Sequence, residues 1–142
     1  MNYTEKSYEE IFNFVLEDSL EKGLISHAEE FPSYIENQED IKSYILDELL
    51  RDERITLYGV PRRTEDKIAL FSFAVKGVHH EDLALILDKM GIALRSGQMC
   101  AEPLMDRLGV TGLLRASFAP YNTMEEAEYF MKSLNKAIGM LI

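Results

Sequence analysis

Cysteine is nearly absent from this chain: one, Cys100, in 142 residues. No internal disulfide can form, and a lone thiol that is free to react or to pack fits a reducing cytoplasm. Long apolar runs are also absent. None approaches the roughly 18 residues that span a bilayer. The opening MNYTEKSYEE is acidic and polar, unlike a secretory signal. Basic residues are scarce, 15 Lys and Arg against 25 Asp and Glu. That balance lacks the basic footprint nucleic acid requires. Three histidines (His27 and the adjacent pair His79 and His80) and one cysteine give no metal-ligand spacing. There is no Gly-rich phosphate loop, no legible Ser/His/Asp set, no internal repeat and no low-complexity segment. Lys67, Lys76 and Lys89 are unremarkable in context.

What is present suits a folded domain. Apolar residues make up 46% of the chain, and its length allows one domain with a real core. The charge is uneven. Residues 1–50 carry 3 Lys/Arg and 13 Asp/Glu, whereas residues 51–142 carry 12 of each. The acidic front reads as a solvated helical surface.

Periodicity divides the chain into elements. Ser7 with Glu10 forms a capping box before an amphipathic helix over 8–22, stopped by Gly23. Pro32 interrupts 24–36, which reads as a connector with room for a short helical turn, and the helical period resumes over 39–50. Then the period shortens. ITLYG (55–59), IALFSFAV (68–75), IALRSG (92–97) and LLRASF (113–118) read as strands. In the second of these, Phe71, Phe73 and Val75 alternate with Leu70, Ser72 and Ala74. PRRTEDK (61–67) is a polar loop. Helices are predicted over 80–90, ended by Gly91, and over 102–108, with Pro103 in the first turn. A last helix follows a second capping box, Thr123 with Glu126, and buries Ala127, Phe130, Met131, Leu134, Ile138 and Leu141. The pattern predicts an α+β fold: a mostly antiparallel sheet of about four strands, with helices packed on one face. Residues 1–38 form an N-terminal acidic helical extension and residues 39–142 the sheet domain.

Cys100 lies between a strand and a helix start. A thiolate is the reactive form of cysteine, so its surroundings decide its role. Backbone N–H groups ahead of a helix and the nearby Arg95 favour ionisation, whereas the apolar neighbours Met99 and Leu104 oppose it. The bland alternative is a packed small hydrophobe. Arg95 and Arg115 interrupt runs that otherwise read as sheet core. Such arginines pair with an anion, either a structural acid or a ligand carboxylate held through two parallel hydrogen bonds. His79 and His80 read as helix-capping or surface residues.

Three segments carry a family resemblance: LYG (57–59), KGVHHEDLALILDKMGIALRSGQMCAEPLM (76–105) and LLRASFAPYNTMEEAEYFMKSL (113–134). From about residue 39 onward the chain resembles the C-terminal small domain of Suf-type (group II) cysteine desulfurases and selenocysteine lyases, of the class V aminotransferase fold type. The resemblance implies the small α+β domain of fold-type I pyridoxal phosphate (PLP) enzymes. It implies that Cys100 is the thiol that takes sulfur from a PLP-bound cysteine and passes it on as a persulfide. It implies that Arg115 holds the substrate carboxylate, with Arg95 near the same site. Asn122 and Thr123 match the family's Y-N-T, a turn followed by a helix cap. Two features depart from the family. Gln98 and Met99 stand where the family often has two histidines, and the large domain with the PLP lysine is absent, so no cofactor is expected on this chain alone.

Three readings follow. The chain is a stand-alone domain that passes persulfide sulfur through Cys100, in iron–sulfur cluster assembly or related sulfur metabolism. Or it is an interaction module derived from a desulfurase, with Cys100 vestigial and residues 1–38 covering exposed apolar surface. Or it is one piece of a split PLP enzyme. The expected partners are a desulfurase large domain, a sulfur-acceptor protein or a second copy of the chain, in the cytoplasm, without nucleic acid, membrane or metal.

Overall fold

A computed structural model of the chain describes residues 31–59 and 67–142. The helix expected over 8–22, its capping box and most of the polar loop 61–67 lie outside the described residues. Residues Glu36–Ile142 form one compact unit.

Helix α1 runs Phe31–Arg51, with Pro32 as its second residue. This corrects the connector expected over 24–36, whose second half is helical from Phe31. Proline breaks a helix interior because it lacks an N–H, but in the first turn that N–H has no intrahelical partner to lose. Strand β1 is Ile55–Tyr58 and β2 is Leu70–Val75. Helix α2 spans His80–Lys89 and β3 only Arg95–Gly97. A short helix α3, Glu102–Leu108, precedes β4, Leu113–Ser117, and α4, Met124–Leu141, closes the chain.

The strands form one antiparallel sheet in the order β1-β2-β4-β3. Alternation along β2 decides which face the helices cover. Phe71, Phe73 and Val75 are buried, while Leu70, Ser72 and Ala74 are only partly so. The buried set joins Ile41, Ile45 and Leu49 of α1, Leu83 and Leu87 of α2, Leu114 and Ala116 of β4, and Phe130, Leu134 and Ile138 of α4 in one core. Three helices therefore cover one face of the sheet, as the sequence pattern requires. The other face is open in that none of these three helices lies on it, although Leu113 is buried on that side.

Local sequence fixes the joints. The Gly91 N–H donates to the Asp88 carbonyl and the Ile92 N–H to the Leu87 carbonyl, with Gly91 at φ 79. This is a Schellman stop, which needs a residue at ease in the left-handed region. The chain leaves it in residues 92–94 without joining the ladder, so β3 is shorter than the strand expected over 92–97. Thr123 accepts from the Glu126 N–H while the Glu126 carboxylate accepts from the Thr123 N–H, the capping box legible in the sequence. Among the described residues, no helix is long and apolar enough to cross a membrane.

Candidate functional site

The open face of the sheet carries one polar row that crosses every strand, with Thr56 and Ser117 as further polar strand residues on that side. In the β1–β2 register Tyr58 lies opposite Ser72. Ser72 lies opposite Arg115 of β4, and Arg115 opposite Arg95 of β3. Directly paired residues of antiparallel strands share a face, so Tyr58, Ser72, Arg115 and Arg95 line up across all four strands. Like charges directly opposite each other repel. Neither arginine has an ion-pair partner among the described residues. The Arg115 Nε is buried and has no hydrogen-bond partner. A buried donor left unmade is costly. Two arginines at directly paired positions, one of them with an orphaned donor, leave positive charge uncompensated on this face. The structure thus brings together the two arginines singled out in the sequence and adds Ser72, which sequence reasoning missed; Tyr58 ends the row, two strands from Arg115 and outside the arginine site. The signal was present: Ser72 is the hydroxyl on the open side of an otherwise apolar strand.

Cys100 lies just beyond this row. The Ala101 N–H donates to the Gln98 carbonyl at 2.9 Å, closing a turn whose central residues are Met99 (φ 56) and Cys100 (φ 60). Two successive positive φ values are the signature of a type I′ turn, which favours Gly, Asn or Asp at both positions. Met and Cys are strained there. The turn presents Cys100 as an exposed free thiol, not as a packed hydrophobe. Leu104 and Leu108 of α3 are also exposed, while Met105 is buried.

Asn122 and Thr123 act as scaffold. The Asn122 Oδ1 accepts from the Ala119 N–H at 2.7 Å, and its Nδ2 donates to Glu126 at 2.9 Å. From α1, Asn37 donates to the Asn122 carbonyl and Gln38 to the Phe118 carbonyl. The loop between β4 and α4 is thereby fixed at both ends. Hydrogen bonds from Asn122 and from the Thr123 N–H hold the Glu126 carboxyl below the ordinary range. Beside this loop, a groove of about 240 Å³ runs between residues 91–94 and the end of β4, with Phe118, Tyr129 and Phe130 in its walls.

His79 caps α2: its Nδ1 accepts from the Glu81 N–H. Its ring stacks on that of His80, 4.4 Å between centroids. His80 lies against Gly112, where a built Cβ would come within 2.5 Å of Nε2. Burial, then the neighbouring His79, pushes the His80 pKa down. These histidines are structural, and no group of residues able to hold a metal occurs among the described residues.

A PLP site requires a lysine amine for its Schiff base. Lys42 Nζ is buried on α1 at 2.5 Å from a Glu39 carboxylate oxygen. Lys67 donates to the Leu70 carbonyl at 2.7 Å and lies over the Phe71 ring. Burial, then Lys42, lowers its pKa. Lys76 donates to the Glu53 carbonyl. Lys89, Lys132 and Lys136 are exposed on α2 and α4, and none of the six described lysines belongs to the row of Arg95 and Arg115, so the described residues place no Schiff-base lysine at that row.

Comparison with known proteins agrees with this architecture. The cysteine desulfurase CsdA of Escherichia coli is 39% identical over 120 residues, 84% of this chain and 30% of the relative. A probable cysteine desulfurase of Vibrio cholerae is 48% identical over 73 residues, 51% of this chain and 18% of the relative. The chain therefore spans less than a third of these relatives. Among solved structures, an apo cysteine desulfurase of Thermococcus onnurineus superposes with a TM-score of 0.68 at 36% identity, over 75% of this chain and 26% of that one. The E. coli CsdA crystal structure gives 0.65 at 34% identity, over 75% and 26%. The fold is that of these fold-type I enzymes. Residues 25–130 match the class-V aminotransferase family, and the chain belongs to it.

Proposed function

We propose that this chain is a desulfurase-like C-terminal small domain of the Suf type, comprising residues 39–142 behind an acidic segment 1–38, and that Cys100 carries sulfur in iron–sulfur or related sulfur metabolism of the cytoplasm. The observation that carries this reading is the placement of the one thiol: exposed on a strained turn, immediately after the strand that sets Arg95 opposite Arg115. Its relatives, which are cysteine desulfurases, support it at the level of the family. In the transfer step the Cys100 thiolate attacks the terminal sulfur of a donor persulfide. The donor S–S bond breaks as the new one forms, the donor leaves as a thiolate, and no external oxidant is needed. Arg115 and Arg95 hold the carboxylate of a cysteine-derived ligand. The partners are a donor desulfurase, or a large domain, and an acceptor protein.

Intact-protein mass spectrometry tests this. The chain is incubated with a PLP-dependent cysteine desulfurase and cysteine, beside a Cys100→Ala variant. The expected result is a gain of one sulfur atom on the unmodified sequence only, removed by a reductant. No adduct, with slow alkylation of Cys100, overturns the carrier role. The share of the relatives' length that this chain spans supports a second reading, in which a separate large domain brings the PLP lysine and the two chains form one desulfurase. Cysteine-dependent sulfide release on mixing the chain with an isolated large domain, absent from either alone, selects that reading.

A further inference from the structure

Resting on the reading of the arginine row as a carboxylate site, we propose that Ser72 is a further ligand-binding residue of that site, its hydroxyl donating to the oxyanion that Arg115 holds. The register places Ser72 directly opposite Arg115 on the open face, with Arg95 on the far side of Arg115. Neighbouring strands lie roughly 4.8 Å apart, so a ligand oxygen at Arg115 is within reach of a side chain one strand away. Ser72 is partly exposed, neither lost in the core nor free of the sheet. On the paired residue across the ladder, the Arg115 Nε is buried without a hydrogen-bond partner. The other polar strand residues on this face support the assignment by contrast. Tyr58 is one strand farther from Arg115, so its hydroxyl serves as the internal control. On β2 itself, Leu70 and Ala74 offer that face no donor.

Two donors from adjacent strands fix a carboxylate in the plane of the guanidinium better than one. The guanidinium fork supplies charge and holds the carboxylate in its plane. Ser72 therefore adds a further donor to the same oxyanion from the neighbouring strand. That division predicts graded losses. Ser72→Ala weakens the site, Ser72→Thr keeps the hydroxyl and most of the binding, and Arg115→Lys removes the planar fork and abolishes it.

The test is an NMR titration of the full chain with L-alanine, an unreactive amino acid, and with ethylamine, which lacks the carboxylate. The expected result is saturable shifts of the Arg115 Nε–H with L-alanine only. Ser72→Ala is expected to weaken this about tenfold, as for one hydrogen bond to a charged group. Ser72→Thr should stay within about threefold of the parent, and Tyr58→Phe should be unchanged. Equal affinities for the parent and Ser72→Ala overturn the proposal. So does equal loss in Ser72→Ala and Tyr58→Phe, which would mark a general disturbance of the sheet face. Sulfur loading of Cys100 from inorganic polysulfide, which carries no carboxylate, separates the two readings. It is expected to be unaffected by Ser72→Ala. Its failure in the parent sinks the carrier role and leaves the carboxylate site standing.

Discussion

The two faces of the sheet are built by opposite rules. On the helix-covered face, Phe71 and Phe73 are fully buried in an apolar cluster, with Lys67 lying over the edge of it at the Phe71 ring. On the open face, the same strands present Ser72, Arg115, Arg95 and Tyr58, where facing positive charges gain nothing from each other. The first face has the pattern that stability requires. The second gives up stability for a set of donors, which is expected of a surface that meets a ligand or another domain. Adjacent residues of β4 make the contrast sharp: Leu114 points into the core, Arg115 to the open side, and Ala116 into the core again.

The largest effect should come from the covered face. Phe73→Ala leaves a cavity among α1, α2 and α4 and is expected to cost about 3–5 kcal/mol, measured by urea denaturation. Arg95→Ser, on the open face, removes one of two opposed charges and should change stability by less than about 0.5 kcal/mol, with any change favourable. If Arg95→Ser costs as much as a core truncation, the open face is structural and the contrast fails.

Capping is the next step down. Thr123→Ala removes the acceptor for the Glu126 N–H and half of the box that starts α4. The expected loss is about 1 kcal/mol in thermal or denaturant unfolding. The thiol turn should respond in the other direction. Met99 stands at φ 56, so Met99→Gly relieves left-handed strain and is expected to stabilise by roughly 0.5–1 kcal/mol after the entropy of a more flexible unfolded chain is counted. A loss of stability would show that the Met99 side chain contributes more than its strained backbone costs. Alkylation of Cys100 measured on the same variant tells whether the strain also exposes the thiol.

Much of this contrast was legible in the sequence, and the reason differs by element. The alternation in IALFSFAV assigns each residue to a face because strand geometry has a period of two. Thr123 with Glu126, and Gly91 after α2, are local signals whose partners lie within four residues, so no tertiary context is needed to read them. Pro32 misled because the residue marks a helix start and a helix break equally well, and only its position in the turn separates them. The row joining Tyr58, Ser72, Arg115 and Arg95 was legible only in pieces: the resemblance put Arg95 near Arg115, but the alignment across four strands was not readable. It depends on strand order β1-β2-β4-β3 and on register, and both are set by contacts between residues tens of positions apart. The turn strain at Met99 and Cys100 was equally hidden, because neither residue type announces a positive φ.

The smallest expected effect is a pH dependence that separates two titrating joints. His80 is pushed below its ordinary pKa of 6.5 chiefly by burial, with the stacked His79 ring adding to the shift and Glu81 opposing it. As pH falls through 6.5, the unfolded chain takes up this proton before the folded one does. Stability should therefore decline from about pH 6.5 down to the lower folded pKa, with no contribution from this group above about pH 6.5. Glu126 behaves as a separate limb. Its carboxylate is held low by Asn122 and the Thr123 N–H, so the stability it contributes is present above its ordinary value of 4.5 and is lost as pH drops through the folded value. Urea midpoints measured from pH 7.5 to 3.5 should show both declines in the parent chain. His80→Gln should flatten the upper one and leave the lower, whereas Asn122→Ala should shrink the lower and leave the upper. An upper decline that survives His80→Gln would place the titrating group elsewhere. It would also mean that the contact between His80 and Gly112, which ties the start of α2 to the lead of β4, holds equally well with the imidazole charged.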